Sequence, residues 1–392
     1  MSRFHSYLNS TVSILSEYDS NTPFSLFIKR FFSKHKKYGS RDRRLISDYC
    51  YQYFRTGKAF SNLSMEEKVL VGIFLSSSGP NPMLETHKPE WNEIADSSFP
   101  VKAEHIELKI EVLLNTLFPW NNELSKGIEF DEFARSFFIK PSVFFRIRPG
   151  KKEAVISKLN NYKILFNEIT DITISVEGNS KLDQFLNIDS EIVIQDLSSQ
   201  KVGGFLSDVL LDNELKVWDC CAASGGKSLM AFDINSTIKL SVSDIRDSIL
   251  HNLDTRFKAA GIKKYDRFKV DLTSKQTSIS NSPFDVIIAD LPCSGSGTWS
   301  RTPEQLYNFK EKQISKYSEL QRRIVSNAVP HLKKDGFLVY ITCSVFKREN
   351  EKNVEYLVSE YGLEEIKSEV ITGYHQKADT MFVSVLKKKE SF

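Results

Sequence analysis

Three short apolar runs, each ending abruptly in a polar motif that carries cysteine, constrain this chain more than any other feature. Leu215-Lys216-Val217-Trp218 leads into Asp219-Cys220-Cys221-Ala222-Ala223-Ser224-Gly225-Gly226-Lys227. Phe284-Asp285-Val286-Ile287-Ile288-Ala289 leads into Asp290-Leu291-Pro292-Cys293-Ser294-Gly295, and Gly336-Phe337-Leu338-Val339-Tyr340-Ile341 into Thr342-Cys343-Ser344. Runs of this length, rich in Val, Ile and Phe, suit strands buried on both faces. Helix-like segments lie between them, so the alternation predicts an α/β fold with a parallel sheet and covering helices. In such sheets ligands gather at the carboxyl ends of the strands. The three motifs are therefore expected to converge on one crevice.

At 392 residues the chain is longer than one core usually supports, and two or more domains are expected. No apolar run could cross a bilayer, and Met1-Ser2-Arg3-Phe4-His5 lacks the apolar stretch of a signal peptide, which predicts a cytoplasmic protein with no membrane partner. Five cysteines, an odd number with no Cys-x-x-Cys pair, argue against a disulfide framework and against a zinc site, so no metal is expected. The net charge of +3 says little, but its distribution says more. Lys29, Arg30, Lys34, Lys36, Lys37, Arg41, Arg43 and Arg44 crowd one segment opposed only by Asp42. Alone, such a run is a solvated helix end; beside other signs of nucleic acid it becomes a phosphate-contacting face.

Residues 1–138 read as a helical bundle, with apolar residues at three-and-four spacing in Leu45, Ile46, Tyr49, Tyr53 and Phe54. Ser40 is placed to cap a helix with Asp42 in its first turn. Residues 139–195 change character: Val143-Phe144-Phe145-Arg146-Ile147-Arg148 alternates like a strand, Lys152 to Leu159 reads as a helix, and two further short strands follow. This predicts a small α+β unit of the ferredoxin-like, RNA-binding type. Arg146 and Arg148 share one face of their strand, as an RNA contact or as plain surface charge. Residues 196–392 form the large α/β domain.

Within that domain, the Gly225-Gly226 pair lets backbone approach a ligand closely where a helix begins, and the exposed N–H groups there attract an anion. The spacing is neither a Walker loop nor a dinucleotide fingerprint. The carboxylate of S-adenosylmethionine is a candidate, and a tight strand-to-helix turn with no ligand is the alternative. The next strands end in Asp244 and Asp271, placed for the ribose and adenine of a nucleoside, or as turn residues. Cys293 follows Pro292 among small polar residues, and Cys343 sits just past a buried strand. Without a neighbouring histidine, and in a reducing compartment, covalent catalysis suits this pair better than a metal or a disulfide. The chemistry that needs a thiolate beside S-adenosylmethionine is methylation at C5 of a pyrimidine.

With Gln195-Asp196-Leu197-Ser198-Ser199-Gln200, Arg301-Thr302-Pro303-Glu304, Gln321, Ile324, Glu349-Asn350-Glu351 and the run from Asp379 to Val385, these motifs resemble the RsmB/NOP/SUN family of RNA 5-methylcytosine methyltransferases. The resemblance implies a class I, Rossmann-like methyltransferase domain, and the stretch from Gly39 to Arg55 is similar to the family's NusB-like RNA-binding domain. It further implies that Cys343 is the nucleophile at C6 and that Cys293 assists release of the methylated RNA. The backbone of Cys221, Ala222, Ala223, Ser224, Gly225, Gly226 and Lys227 would hold the methionine part of the cofactor, Asp244 its ribose and Asp271 its adenine side. Asp290 lies at the cofactor and, with Lys227, would orient the cytosine. The implied partner is RNA, ribosomal RNA in the first place, bound by a monomer; transfer RNA, or a catalytically silent assembly factor, are the alternatives. Ser224 departs from the family, which has proline before the glycine pair, and Asp379-Thr380-Met381-Phe382 departs from Asp-Gly-Phe-Phe.

Overall fold

The computed structural model describes residues 2–176, 181–274, 279 and 283–389. The chain divides into two compact units. One comprises Met1–Asn122, Glu129–Lys140 and Thr298–Glu311; the other comprises Glu123–Ile128, Pro141–Gly297 and Lys312–Phe392. The small α+β segment thus shares a unit with the large sheet. Thr298–Glu311, read from sequence as part of the large domain, belongs with the helices because Leu306 is buried there and the Tyr307 hydroxyl meets that of Tyr53 at 2.7 Å. Among the described residues no helix is long and apolar enough to cross a membrane.

The first unit is helical. Its Ser40–Arg55 helix buries Ile46, Tyr49, Tyr53 and Phe54, four of the five residues that the three-and-four spacing selects, and leaves the fifth, Leu45, half-buried. Ser40 is not the cap, contrary to the sequence reading. Asp42 reaches back to accept the Gly39 N–H at 3.0 Å and also accepts from the Tyr7 hydroxyl, so the one acid in the basic segment is already engaged. Lys29, Arg30, Lys34, Lys36, Lys37, Arg41 and Arg44 are exposed.

The second unit holds two sheets. Strands β1 (Val143–Ile147), β2 (Phe166–Glu168), β3 (Thr173–Val176) and β4 (Ile192–Ile194) pair antiparallel in the order β2-β3-β1-β4, which is the ferredoxin-like order. One helix, Lys152–Asn161, covers it, and a three-residue 3-10 turn, Leu182–Gln184, stands where a second helix would lie. Arg146 and Arg148 do share a face, but the face is covered. Both reach Asp233 at 2.7 Å, and their side chains are 5% and 11% exposed. They are buried ion-pair partners, neither surface charge nor open to RNA.

The large sheet consists of β5 (Lys216–Asp219), β6 (Lys239–Asp244), β7 (Asp266–Lys269), β8 (Phe284–Asp290), β9 (Leu332–Thr342), β10 (Leu363–Thr372) and β11 (Thr380–Lys388). Their order is β10-β11-β9-β8-β5-β6-β7. Pairs β5·β6, β5·β8, β6·β7 and β8·β9 are parallel, and β11 runs antiparallel between β9 and β10. Alternate residues feed two cores: Val217, Val286, Ile288 and Val339 on one face, Trp218, Ile287, Ala289 and Leu338 on the other. Burial on both faces explains the unbroken apolar runs. Strand order reverses between β5 and β8, which puts the topological switch point at the ends carrying Asp219 and Asp290.

Candidate active site

The loop after β5 is held by backbone. Ala222 N–H donates to the Ser243 carbonyl at 2.8 Å, and Ala223 N–H to the Asp244 carboxylate at 3.1 Å. Ala223 adopts φ +46, a left-handed conformation that costs a residue with a Cβ about 1–2 kcal/mol. Gly225, at φ +82, precedes the Gly226–Ile234 helix, and a Cβ there would lie 2.7 Å from Phe257 Cε1. Beside Gly226, by contrast, a Cβ would meet nothing within 4 Å. One glycine is demanded by the fold; the other leaves open space at a helix N-terminus.

Beneath the loop, Asp219 is fully buried and accepts from the Ser228 hydroxyl at 2.6 Å. Burial pushes its carboxyl up to about 7, against that hydrogen bond. The sequence reading did not single it out; its place as the last residue of the first parallel strand was the available signal. Asp244, 6% exposed, also accepts from Arg246 N–H at 2.9 Å and Nε at 3.1 Å. Asp271 lies just past β7, where Val270 N–H donates to the Asp244 carbonyl at 3.3 Å. It is exposed, and its carboxylate is occupied by the N–H and hydroxyl of Thr273, which hold it below the usual range.

Lys227 is drawn back from the helix start toward β8. Its Nζ lies 3.2 Å from Asp290 Oδ2 and donates to Ser199 Oγ at 2.6 Å. Ser199 in turn accepts from Gln195 Nε2 at 3.2 Å. The Gln195–Gln200 segment therefore supplies a second anchor for the ammonium, a role that sequence alone did not assign.

The two motif cysteines meet. Cys293 Sγ and Cys343 Sγ are 3.1 Å apart, on loops that follow neighbouring strands β8 and β9. The hydrogen bond to Cys343 and burial push the Cys293 thiol well up. Gly297 N–H donates to the Cys343 carbonyl at 2.9 Å, which ties the two loops through backbone. Glu349, wholly buried, ties them again. Its carboxylate accepts from Ser294 N–H at 2.9 Å, Ser344 Oγ at 2.7 Å and Gln321 Nε2 at 2.8 Å, and Gln321 also donates to the Pro292 carbonyl at 3.1 Å. Burial raises the Glu349 carboxyl, while these donors oppose the shift. Among the described residues no cluster of His, Cys, Asp and Glu stands where it could hold a metal ion.

The strand order and the ring of strand-end residues define a class I methyltransferase fold of the S-adenosylmethionine-dependent type. Residues 209–387 match the family described as 16S rRNA methyltransferase RsmB/F. The chain is 29% identical over 163 residues to the ribosomal RNA small subunit methyltransferase B of Klebsiella pneumoniae (strain 342), covering 42% of this chain and 37% of that protein. Against the protein of the same description from Xylella fastidiosa (strain Temecula1 / ATCC 700964) it is 30% identical over 166 residues, with the same coverage. The matches thus span little over a third of the length of these relatives. In structure, the crystal structure of PH0851 aligns with a TM-score of 0.72 at 20% identity over 97% of this chain and 98% of that one. NSun6 from Pyrococcus horikoshii aligns at 0.58 and 14% identity over 72% and 98%.

Proposed function

We propose that the chain methylates C5 of a cytosine in RNA, in the first place small-subunit ribosomal RNA, through a covalent adduct between Cys343 and C6 of the base. The observation that carries this reading is the 3.1 Å approach of Cys293 and Cys343 at the switch-point edge of a methyltransferase sheet. A fold of this class that transfers methyl to nitrogen or oxygen has no use for two adjoining thiols.

The residues present suit S-adenosylmethionine. The space beside Gly226, the N–H groups of the Gly226–Ile234 helix start and the Asp244 carboxylate offer the close backbone approach, anion site and hydroxyl acceptor that its methionine and ribose require. When bound, it supplies an electrophilic methyl on sulfur. Asp271 reaches the adenine side by releasing Thr273.

C5 of cytosine is a weak nucleophile until C6 is attacked. Cys343 thiolate adds to C6, which makes C5 an enamine carbon able to take the methyl group. Asp290, anchored by Lys227, hydrogen-bonds the base edge near N3 and N4 and stabilises the charge that develops there. Loss of the C5 proton to water then restores the C5–C6 double bond, and the C6–S bond breaks with its electron pair on sulfur, which returns Cys343 as the thiolate. Cys293, whose thiol keeps its proton at neutral pH, lies beside the leaving sulfur and assists that release. The target base enters unpaired or flipped from a helix. The exposed lysines and arginines between Lys29 and Arg44 contact RNA phosphates.

Bisulfite sequencing of total RNA from cells with and without the gene tests the reading. Loss of one protected cytosine in small-subunit ribosomal RNA is the expected result. A loss in transfer RNA moves the substrate and keeps the chemistry; no change in any RNA overturns the proposal.

A further inference from the structure

We infer that Arg256 is a positioning residue for the cofactor loop: it clamps Ser224 and is itself held by Asp189 of the small α+β segment. The inference rests on the reading of residues 221–227 as the cofactor loop.

The geometry is continuous. Arg256 projects from the Asp247–Ala260 helix, and its Nη1 donates to both the carbonyl and the hydroxyl of Ser224, each at 3.1 Å. The other edge of the guanidinium grips the Asp189 carboxylate, with Nε 3.0 Å from each oxygen and Nη2 2.7 Å from Oδ1. Side-chain exposures of 22% for Arg256 and 12% for Asp189 leave this pair little screened by solvent. Asp189 is fixed in turn, because Arg148 Nη1 donates to its carbonyl at 3.1 Å and to the Ala260 carbonyl at 2.7 Å. Arg148 also grips Asp233 in the helix that the loop opens. A chain of ion pairs and hydrogen bonds thus runs from Asp233 through Arg148, Asp189 and Arg256 to Ser224.

Ser224 is where such a clamp has most effect. It lies between Ala223 at φ +46 and Gly225 at φ +82, two residues in the left-handed region, and no side chain can fix that path by itself. A planar guanidinium can bind two acceptors on one edge and a carboxylate on the other, which an ammonium cannot. The serine hydroxyl gives Arg256 a second acceptor on the loop, beside the carbonyl that any residue would offer. The small sheet is in this way part of the machinery that shapes the cofactor site without touching the cofactor.

The test is titration calorimetry of the full chain with S-adenosylhomocysteine, for the wild type, Ser224→Ala, Arg256→Lys and the double variant, with thermal unfolding recorded for each. Ser224→Ala is expected to raise Kd about threefold and Arg256→Lys about tenfold, the losses typical of one neutral and several charge-assisted hydrogen bonds. The double variant should match Arg256→Lys, since the hydroxyl acts only through the guanidinium. Asp189→Asn, which leaves the loop untouched, should also raise Kd. Wild-type affinity in Arg256→Lys, or strictly additive losses in the double variant, would overturn the clamp. A wild-type protein that binds no S-adenosylhomocysteine would instead overturn the reading of the loop, and the clamp with it.

Discussion

Adding one methyl group at Gly225 and at Gly226 should have opposite consequences, and the pair isolates what the loop is for. At Gly225 the new Cβ imposes the left-handed penalty of about 1–2 kcal/mol, because φ is +82. It also approaches Phe257 Cε1 to 2.7 Å and Leu253 Cγ to 3.0 Å, and forcing such a contact into a packed core costs about 1–3 kcal/mol more. Gly225→Ala is therefore expected to destabilise by roughly 2–5 kcal/mol in urea unfolding. At Gly226 the Cβ meets no atom, and the residue opens a helix, where alanine is favoured over glycine by up to about 1 kcal/mol. Gly226→Ala should keep or slightly raise stability, yet the methyl fills the space through which a ligand would approach the backbone. S-adenosylhomocysteine affinity should then fall at least tenfold, measured by calorimetry on protein whose unfolding midpoint is unchanged. A Gly226→Ala protein that binds as tightly as wild type would refute the assignment of that space to the cofactor. A Gly225→Ala protein within about 1 kcal/mol of wild type would refute the packing argument.

Three further outcomes follow from the same geometry. Asp219 titrates near 7 when folded and near 3.9 unfolded, so the folded state binds the extra proton between these values. Stability should fall as pH rises from about 4 to about 7 and then level off, by on the order of 2–4 kcal/mol. Asp219→Asn keeps an acceptor for Ser228 and should remove that slope, which thermal unfolding at pH 5 and pH 8 would reveal; equal slopes in both proteins would contradict the burial argument. Cys343→Ala should abolish methyl transfer, whereas Cys293→Ala should accumulate a covalent protein–RNA adduct visible on a denaturing gel; full activity in Cys343→Ala would overturn the nucleophile. Glu349→Gln replaces one accepting oxygen with a donor and should cost about 1–3 kcal/mol of stability and slow adduct formation with 5-fluorocytosine RNA, with cofactor affinity unchanged.

How much of this was legible in the sequence depends on the range of the interaction concerned. Strands β5, β8 and β9 were readable because each is buried on both faces, so a local apolar run reports its environment directly. Strand β10 hid from the same logic. Only Leu363 and Ile371 of its ten residues are buried, and its exposed stretch is mostly charged, as befits an edge. Arg146 and Arg148 show the limit more sharply. The two-residue period correctly put them on one face, but what covers that face is Asp233, 87 and 85 residues further on, and no local pattern encodes it. Ser40 was offered as a cap because its type favours that role, yet the helix starts one residue earlier: the Gly39 carbonyl accepts from Arg43 N–H at 3.0 Å, and Asp42 accepts the Gly39 N–H. The cysteines and Lys227 were found by motif, and so were Ser199, Gln321 and Glu349, but that these three meet Lys227 and the cysteine loops is fixed by tertiary approach alone.

The two sides of the crevice are built by different means, and this bears on how they can fail. The cofactor side depends on backbone: left-handed Ala223 and Gly225, the N–H of Ala223 on Asp244, and an open position at Gly226. The thiol side depends on buried side chains: Glu349 and Gln321 gather the loops of Cys293 and Cys343, and the Tyr340 hydroxyl and Asn353 Nδ2 donate to Gln321 Oε1 at 3.2 and 2.8 Å. Backbone devices are sensitive above all to added volume, and charge reaches them here only through Asp244 and the Arg256–Asp189 pair. A buried polar network is the reverse, since each unsatisfied donor costs the desolvation of that group. Lys227 is the link between them, being part of the helix that opens the cofactor loop and ion-paired to Asp290 at the start of the Cys293 loop. Removing its charge should accordingly be the one change that weakens cofactor binding and adduct formation together, because Asp290 is then left beside the crevice without its cation.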